Sequence, residues 1–208
     1  MDPSCYFHRV IHFPHSKTKV MPKTKSIALY LLAILSLVSG CNQRPLADLE
    51  NTKSFQSGGV SFQYPGNWKL QEEPISREFR SIHIETPQNG LMIIQTYPLD
   101  HADTLQEYVK KFSESSKAIL PFGEISTSTL TPEDTWEGYN WVSEKFDITL
   151  LGETKPHYRL YRTKDANGIR LFLILQSTFH DAPMLIAGVD LISKSLEFTG
   201  EAGVPPQE

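Results

Sequence analysis

An apolar, uncharged run from Ser26 to Val38 stops at Ser39-Gly40-Cys41, and that junction decides which part of the 208-residue chain is available to fold. A bilayer-spanning helix needs about 20 consecutive apolar residues, and this run is shorter. Lys23 and Lys25 precede it and small residues follow it. A basic start, an apolar centre and a cut site after small residues are the marks of a secretory leader. Residues 21–40 are therefore expected to be removed, and the folded domain to come from the chain beyond Cys41.

Val38-Ser39-Gly40-Cys41 resembles a bacterial lipobox, in which the cysteine receives a diacylglycerol thioether before the leader is cut away. The resemblance implies a lipid anchor on Cys41 and a domain of the cell envelope facing the periplasm. One acyl chain holds a protein only marginally and two or more hold it stably; a mature bacterial lipoprotein usually carries three. In enteric-type bacteria an Asp after the cysteine retains a lipoprotein in the inner membrane. Here that residue is Asn42, which points to the outer membrane. Residues 1–20 sit oddly ahead of such a leader. Met21-Pro22-Lys23-Thr24-Lys25 gives ordinary length and a basic start, so Met21 is read as the true start and residues 1–20 as mis-assigned coding sequence. His8, His12 and His15 within them lack any established zinc spacing.

Beyond Cys41 the chain holds 15 Lys and Arg against 23 Asp and Glu, a net charge of -8, where the whole chain carries -4. Nucleic-acid phosphates demand basic surface, so no nucleic-acid partner is expected. Cys41 is the last cysteine, which leaves the domain no disulfide framework, thiolate metal site or cysteine nucleophile. Stability has to come from a core, and a domain of about 155 residues buries roughly two-thirds of its unfolded surface.

Residues 42–56 are polar and irregular and read, with Cys41, as a tether (41–56). Val60-Ser61-Phe62-Gln63-Tyr64 alternates as a half-buried strand does, Pro65-Gly66-Asn67 turns the chain with Gly and Asn able to take positive φ, and Trp68-Lys69-Leu70 starts the return. Ser81–Glu85 and Leu91–Thr96 form a second pair around Asn89-Gly90, a strong hairpin signal. A helix follows, with Asp103 and Gln106 at capping-box spacing and Leu105, Tyr108, Val109 and Phe112 on one face; it should end before Pro121. Tyr139 to Ile148 alternates with a phase shift near Ser143-Glu144 that suggests a bulge. His157–Arg162 and Ile169–Phe179 flank an Asn167-Gly168 turn. Leu171-Phe172-Leu173-Ile174-Leu175 is apolar on both faces and should be a central strand covered on both sides. Ala182–Leu196 reads as a helix with Leu185, Gly188, Leu191 and Ile192 inward, and 200–208 as a loose tail. Paired strands with one helix between them and one at the end give α+β, an antiparallel β-sheet flanked by helices.

The segment Gly59-Val60-Ser61-Phe62-Gln63-Tyr64-Pro65-Gly66-Asn67-Trp68-Lys69 resembles the opening hairpin of PsbP-like and DcrB-like domains, and Ile192-Ser193-Lys194-Ser195-Leu196-Glu197-Phe198 is similar to their closing helix. Gly138-Tyr139 and the Asn167-Gly168 hairpin also fit. The resemblance covers nearly all of 55–199, with the domain itself set at 57–199. It implies an α/β/α sandwich whose relatives act by binding or assembling with another protein; it assigns no catalytic residue and no cofactor, and fold alone does not fix function.

Candidate chemistry is sparse. His101 lies between Asp100 and Asp103, a carboxylate–imidazole combination that can hold zinc or manganese, but Asp103 is wanted at the helix cap, and no metal site is assigned there. His83, His157 and His180-Asp181 are weaker candidates. No Gly-x-Ser-x-Gly elbow, phosphate loop or dinucleotide fingerprint occurs, so no enzyme activity is expected. Aromatics crowd the late strands: Tyr139, Trp141, Tyr158 and Tyr161 read as cross-strand pairs. Trp136, in a polar loop between Asp134 and Glu137, is the candidate for an exposed partner contact with Arg159 and Arg162 close by in sequence, because Trp, Tyr and Arg dominate binding hot spots. The function expected is a lipid-anchored, non-enzymatic binding or assembly module of the envelope with an envelope protein as partner. The alternative is a small-ligand or metal-binding lipoprotein using the His101 or His157 neighbourhood.

Overall fold

Val60, Phe62 and Tyr64 of the alternating pentad are buried and Gln63 is exposed, as the two-residue period of a strand requires. This is β2 (Val60–Tyr64) of the computed structural model, which describes residues 45–72, 79–119, 123–126 and 128–198. Residues 1–20, the leader, Cys41 and the tail 200–208 lie outside the described residues. β2 has a partner in the stretch expected to be tether. β1 (Lys53–Ser57) pairs with it antiparallel, and Phe55, buried, stacks on Phe62 at 5.0 Å. A single apolar residue among Lys, Ser and Gln offers no alternation to read. The chain before β1 is also held down. Asn67 accepts the Asp48 N–H at 2.9 Å and donates to the Leu46 carbonyl at 2.7 Å, and Gln88 donates to the Pro45 carbonyl at 3.1 Å. The domain therefore includes 45–56.

The main sheet is antiparallel throughout. Its strands are β3 (Lys69–Glu72), β4 (Arg80–Glu85), β5 (Leu91–Pro98), β6 (Gly123–Ile125), β7 (Thr129–Leu130), β8 (Asp134–Trp136), β9 (Tyr139–Leu150), β10 (Glu153–Ala166) and β11 (Ile169–Thr178). They run in the order β3-β4-β5-β11-β10-β9, with β6, β7 and β8 in succession along the outer edge of β9. α1 (Leu105–Ile119) follows β5, and α2 (Ala182–Ser195) follows β11 and leads to β12 (Glu197–Phe198), which pairs with β2. β11 explains the layering. Leu171, Leu173 and Leu175 point into a core shared with α2 and β2, while Phe172 and Ile174 point into a second core with Leu105, Tyr108 and Val109 of α1. An antiparallel sheet carries α1 on one face and α2 with the small sheet on the other, the α+β sandwich expected.

Four local expectations need correction. Gly66 and Asn67 do not take positive φ; Gly66 is required because a Cβ there would run into the Asn51 carbonyl oxygen. In the β4–β5 turn, Gln88 and Asn89 rather than Gly90 take positive φ, at 63° and 60°. The capping box of α1 is Thr104 with Glu107, one residue later than Asp103 with Gln106: the Thr104 N–H and hydroxyl donate to the Glu107 carboxylate at 3.0 and 2.8 Å, and the Glu107 N–H donates back at 3.3 Å. Its buried face is otherwise as expected. Finally, β9 keeps one unbroken register with β10 from Asn140↔Thr163 to Leu150↔Glu153, so no bulge falls at Ser143-Glu144. The apparent phase shift arises because Tyr139 faces the α2 core, Phe146 faces the other way, and buried Glu144 lies in the row of Val142 and Phe146.

The sheet has two distinct ends. At one lie the Leu151-Gly152 turn between β9 and β10, the β4–β5 turn, Phe179 after β11, and Pro45 to Asn51 against the Pro65–Asn67 turn. At the other lie the Asn167-Gly168 turn, both residues at positive φ, the start of α1 and the strand β12.

Candidate binding surface

The three residues singled out for a partner contact fall in two places. Arg159 of β10 stands opposite Glu144 of β9, and both are enclosed, at 1% and 0% exposure. Arg159 donates to the Glu144 carboxylate at 3.0 Å; Tyr161 donates to the same oxygen at 2.6 Å, and Ser113 of α1 to the other at 2.7 Å. The guanidinium also donates to Gln176 at 2.6 Å and lies 4.1 Å from the Phe146 ring centroid. Burial raises the Glu144 carboxyl, but the hydrogen bonds from Tyr161 and Ser113 and the Arg159 charge outweigh it and hold the group below the usual carboxylate range. Burial pushes the Tyr161 hydroxyl far up, so it donates and does not ionise. Perturbed carboxylates often mark functional sites, but here each polar partner is internal. Arg159 is removed from the candidate surface because it neutralises a charge beneath α1.

Trp136 and Arg162 do come together, on the opposite face of the sheet. Trp136 is not in a loop: it belongs to β8, pairs with Tyr139, and is half-buried against the core that α2 covers. The Arg162 guanidinium lies 4.0 Å from its ring centroid and the Lys194 ammonium of α2 5.4 Å. Arg162 is itself buried, donating to Asp190 at 2.7 Å and to Ser193 at 3.0 Å. It fixes the indole in place and offers a partner little surface. A cation over an aromatic face contributes about 0.5–2 kcal/mol, more when desolvated. Beside it the Tyr139 hydroxyl donates to the Ser193 carbonyl at 2.8 Å, and burial, against the pull of Arg162, pushes its pKa up to about 12. What faces solvent is the open part of Trp136 flanked by Lys194 and Lys164, the latter 5.2 Å from the Tyr139 ring. Sequence reasoning misses Lys194; its position four residues after Asp190, on the helix side away from the core, is the signal that marks it.

A cleft of about 440 Å³ opens at the same end of the sheet, lined by Thr104, Gln106, Glu133, Asn140, Lys164 and Arg170 among others. Arg170 is fixed by a bidentate pair with Asp165, both contacts at 2.7 Å, and donates to the Asp103 carbonyl at 2.9 Å. That pairing holds the Asp165 carboxyl below its ordinary range.

The histidines are dispersed. His101 and Asp100 are both exposed with 3.5 Å between them, while the Asp103 carboxylate is taken by Lys111 at 2.6 Å. His157 stacks on Phe146 and meets the Lys155 carbonyl at 2.9 Å. His83 meets Ser81 at 3.0 Å, and Asp181, next to His180, accepts from Thr178 at 2.6 Å. Among the described residues no three His, Cys, Asp or Glu side chains converge as metal ligands, and no helix is long and apolar enough to cross a membrane.

No protein-family model and no curated protein matches the sequence. Solved structures do match. The solution structure of cyanobacterial PsbP from Synechocystis sp. PCC 6803 is similar with a TM-score of 0.48 at 11% identity, covering 78% of this chain and 99% of that one. LpqN, involved in cell envelope biogenesis of Mycobacterium tuberculosis, is similar with a TM-score of 0.38 at 15% identity over 72% and 91% of the two chains. The Ran-binding protein Mog1p of Saccharomyces cerevisiae is similar with a TM-score of 0.47 at 8% identity over 72% and 96%.

Proposed function

We propose that the chain is a lipid-anchored, non-enzymatic module of the bacterial cell envelope that binds another envelope protein through the end of its sheet around Trp136. The observation that carries this reading is the Val38-Ser39-Gly40-Cys41 sequence, whose cysteine is only four residues ahead of Pro45, where the described fold begins. Diacylglyceryl transfer to that cysteine makes a second anchor unnecessary. Trp136 supplies the recognition element: a large aromatic held by Arg162 and Lys194 against its ring presents contact area with little entropy left to lose on binding. Lys194 and Lys164 around it suit an acidic or carbonyl-rich partner surface in a domain that is acidic as a whole.

The test has two arms. Cells fed an alkyne fatty acid should label the wild-type protein and not Cys41→Ser, and a Cys41→Ser protein still acylated on the membrane sinks the anchor. Crosslinking in intact cells should then capture one envelope protein with wild type and lose it with Trp136→Ala and Lys194→Glu, both checked for a wild-type melting curve. Equal capture by all three refutes the surface.

A small polar ligand in the cleft beside Arg170 is the second reading, favoured by a volume within the roughly 300–1,000 Å³ of ligand sites. A melting temperature that rises with small carboxylates or phosphate, and no longer does so in Arg170→Met, would support it; flat melts would exclude it.

A further inference from the structure

Among the described residues seven large apolar side chains are exposed, and five of them lie at one end of the sheet: Leu46, Leu49, Leu150, Leu151 and Phe179. That is the end at which the chain arrives from Cys41, since Pro45 and Leu46 are hydrogen-bonded to the β4–β5 turn and to Asn67. The two others, Leu99 beside Gly168 and Leu130 midway along β9, lie elsewhere. Leu151 stands out twice. It is 92% exposed at the tip of the β9–β10 hairpin, and its φ of 53° is the left-handed conformation that a leucine adopts at a cost of about 1–2 kcal/mol. Asn or Gly would suit that position better, so neither folding nor solubility accounts for a leucine there.

Resting on the lipid anchor proposed above, we infer that this end of the domain docks on the bilayer, with Leu150 and Leu151 of the hairpin tip entering the headgroup region. Covalent reach selects the surface. Four residue steps separate Cys41 from Pro45, so a lipid on that sulfur holds Pro45 within about 14 Å of the membrane. The hairpin tip, Phe179 and the Pro45 segment share that end, so a domain tethered so closely meets the bilayer there. At the tip the contact is apolar: Glu153 and Lys155 pair with each other at 3.3 Å, and the Lys145 ammonium beside Phe179 lies 4.7 Å over that ring. Its strength should therefore not depend on salt or on anionic lipid, unlike a basic patch. Docking by this end leaves Trp136 and the cleft, at the opposite end, free for a partner.

The acylated full protein, carrying Leu151→Cys or Leu99→Cys labelled with an environment-sensitive fluorophore, is reconstituted in phosphatidylethanolamine–phosphatidylglycerol vesicles with and without brominated acyl chains. Cys41 is blocked by its lipid, so the introduced thiol is the one labelled in the mature chain. The label at 151 should shift to the blue and lose about half or more of its emission to bromolipid, as expected for a group roughly 5–10 Å into the interface. The label at 99 should do neither. Acylated protein with no quenching at 151, or with a blue shift but no bromolipid quenching (a protein occupant such as a second copy), overturns the docking and leaves the anchor standing. Absence of the diacylglyceryl mass on Cys41 overturns both.

Discussion

Replacing Arg159 with methionine isolates the enclosed charge pair beneath α1. The substitution keeps apolar volume under α1 but strands Glu144, which is wholly enclosed. Breaking a buried pair by removing one partner costs about 3–5 kcal/mol. Two further losses push toward the upper end: Gln176 loses the donor at 2.6 Å, and Phe146 loses the cation 4.1 Å from its ring. In a domain of this size each kcal/mol shifts Tm by about 2–4 °C, so a fall of roughly 10 °C or more is expected. The pH dependence supplies an independent sign. In the wild type the Glu144 carboxyl is depressed, so its contribution is full above the unfolded pKa of about 4.3 and is lost as pH falls through the folded value. Without the Arg159 charge, burial is opposed by the hydrogen bonds from Tyr161, Ser113 and Ser128, and because burial is the largest influence the carboxyl should move above its unfolded value. Lowering the pH from 7 toward 5 should then stabilise the variant and leave the wild type nearly unchanged. Urea melts across that range read both effects. Adding Glu144→Leu should recover at least about 1 kcal/mol, because an apolar replacement of a whole buried pair is far better tolerated than half of one. A single-variant loss below about 1 kcal/mol, the size of a surface pair, or stability slopes of the same sign in both proteins, would refute the reasoning.

Gly188→Ala should lower stability by about 1–3 kcal/mol in a thermal melt, because its Cβ would overlap the Trp68 ring and crowd Pro65 at 2.8 Å in a core with no slack. Thr104→Ala should cost about 1 kcal/mol through loss of the capping box, and Asp103→Ala, which removes only an exposed pair with Lys111, about half of that or less; the reverse order would put the cap back at Asp103. Leu151→Asn should raise the urea midpoint by an amount equivalent to about 1 kcal/mol by relieving the left-handed leucine.

Local pattern by itself determined the α+β class, the two helices, the inward face of α1 and most of that of α2 (Leu185, Gly188 and Ile192 are buried, with Val189 in place of Leu191), the doubly covered central strand β11 and the Asn167-Gly168 turn, because each depends on neighbours within a few residues. The lipobox resemblance and the acidic balance are equally local, and no folding is needed to read them. Other features depend on partners far along the chain. β1 is a strand because Phe55 meets Phe62 across a hairpin, not because its own five residues alternate. Glu144 looks like a break in a pattern until Arg159, Tyr161 and Ser113, from two other elements, converge on it. Arg159 and Arg162 are three residues apart on one strand, an odd spacing that sends them to opposite faces, so a candidate surface containing both could not survive folding. Trp136 reads as a loop residue because its strand is only Asp134–Trp136, too short to show a period; its pairing with β9 and the cover of α2 make it part of the sheet. The gathering of Leu46, Leu151 and Phe179 at one end of the sheet is set by strand direction alone, which no stretch of sequence specifies until the strands have paired.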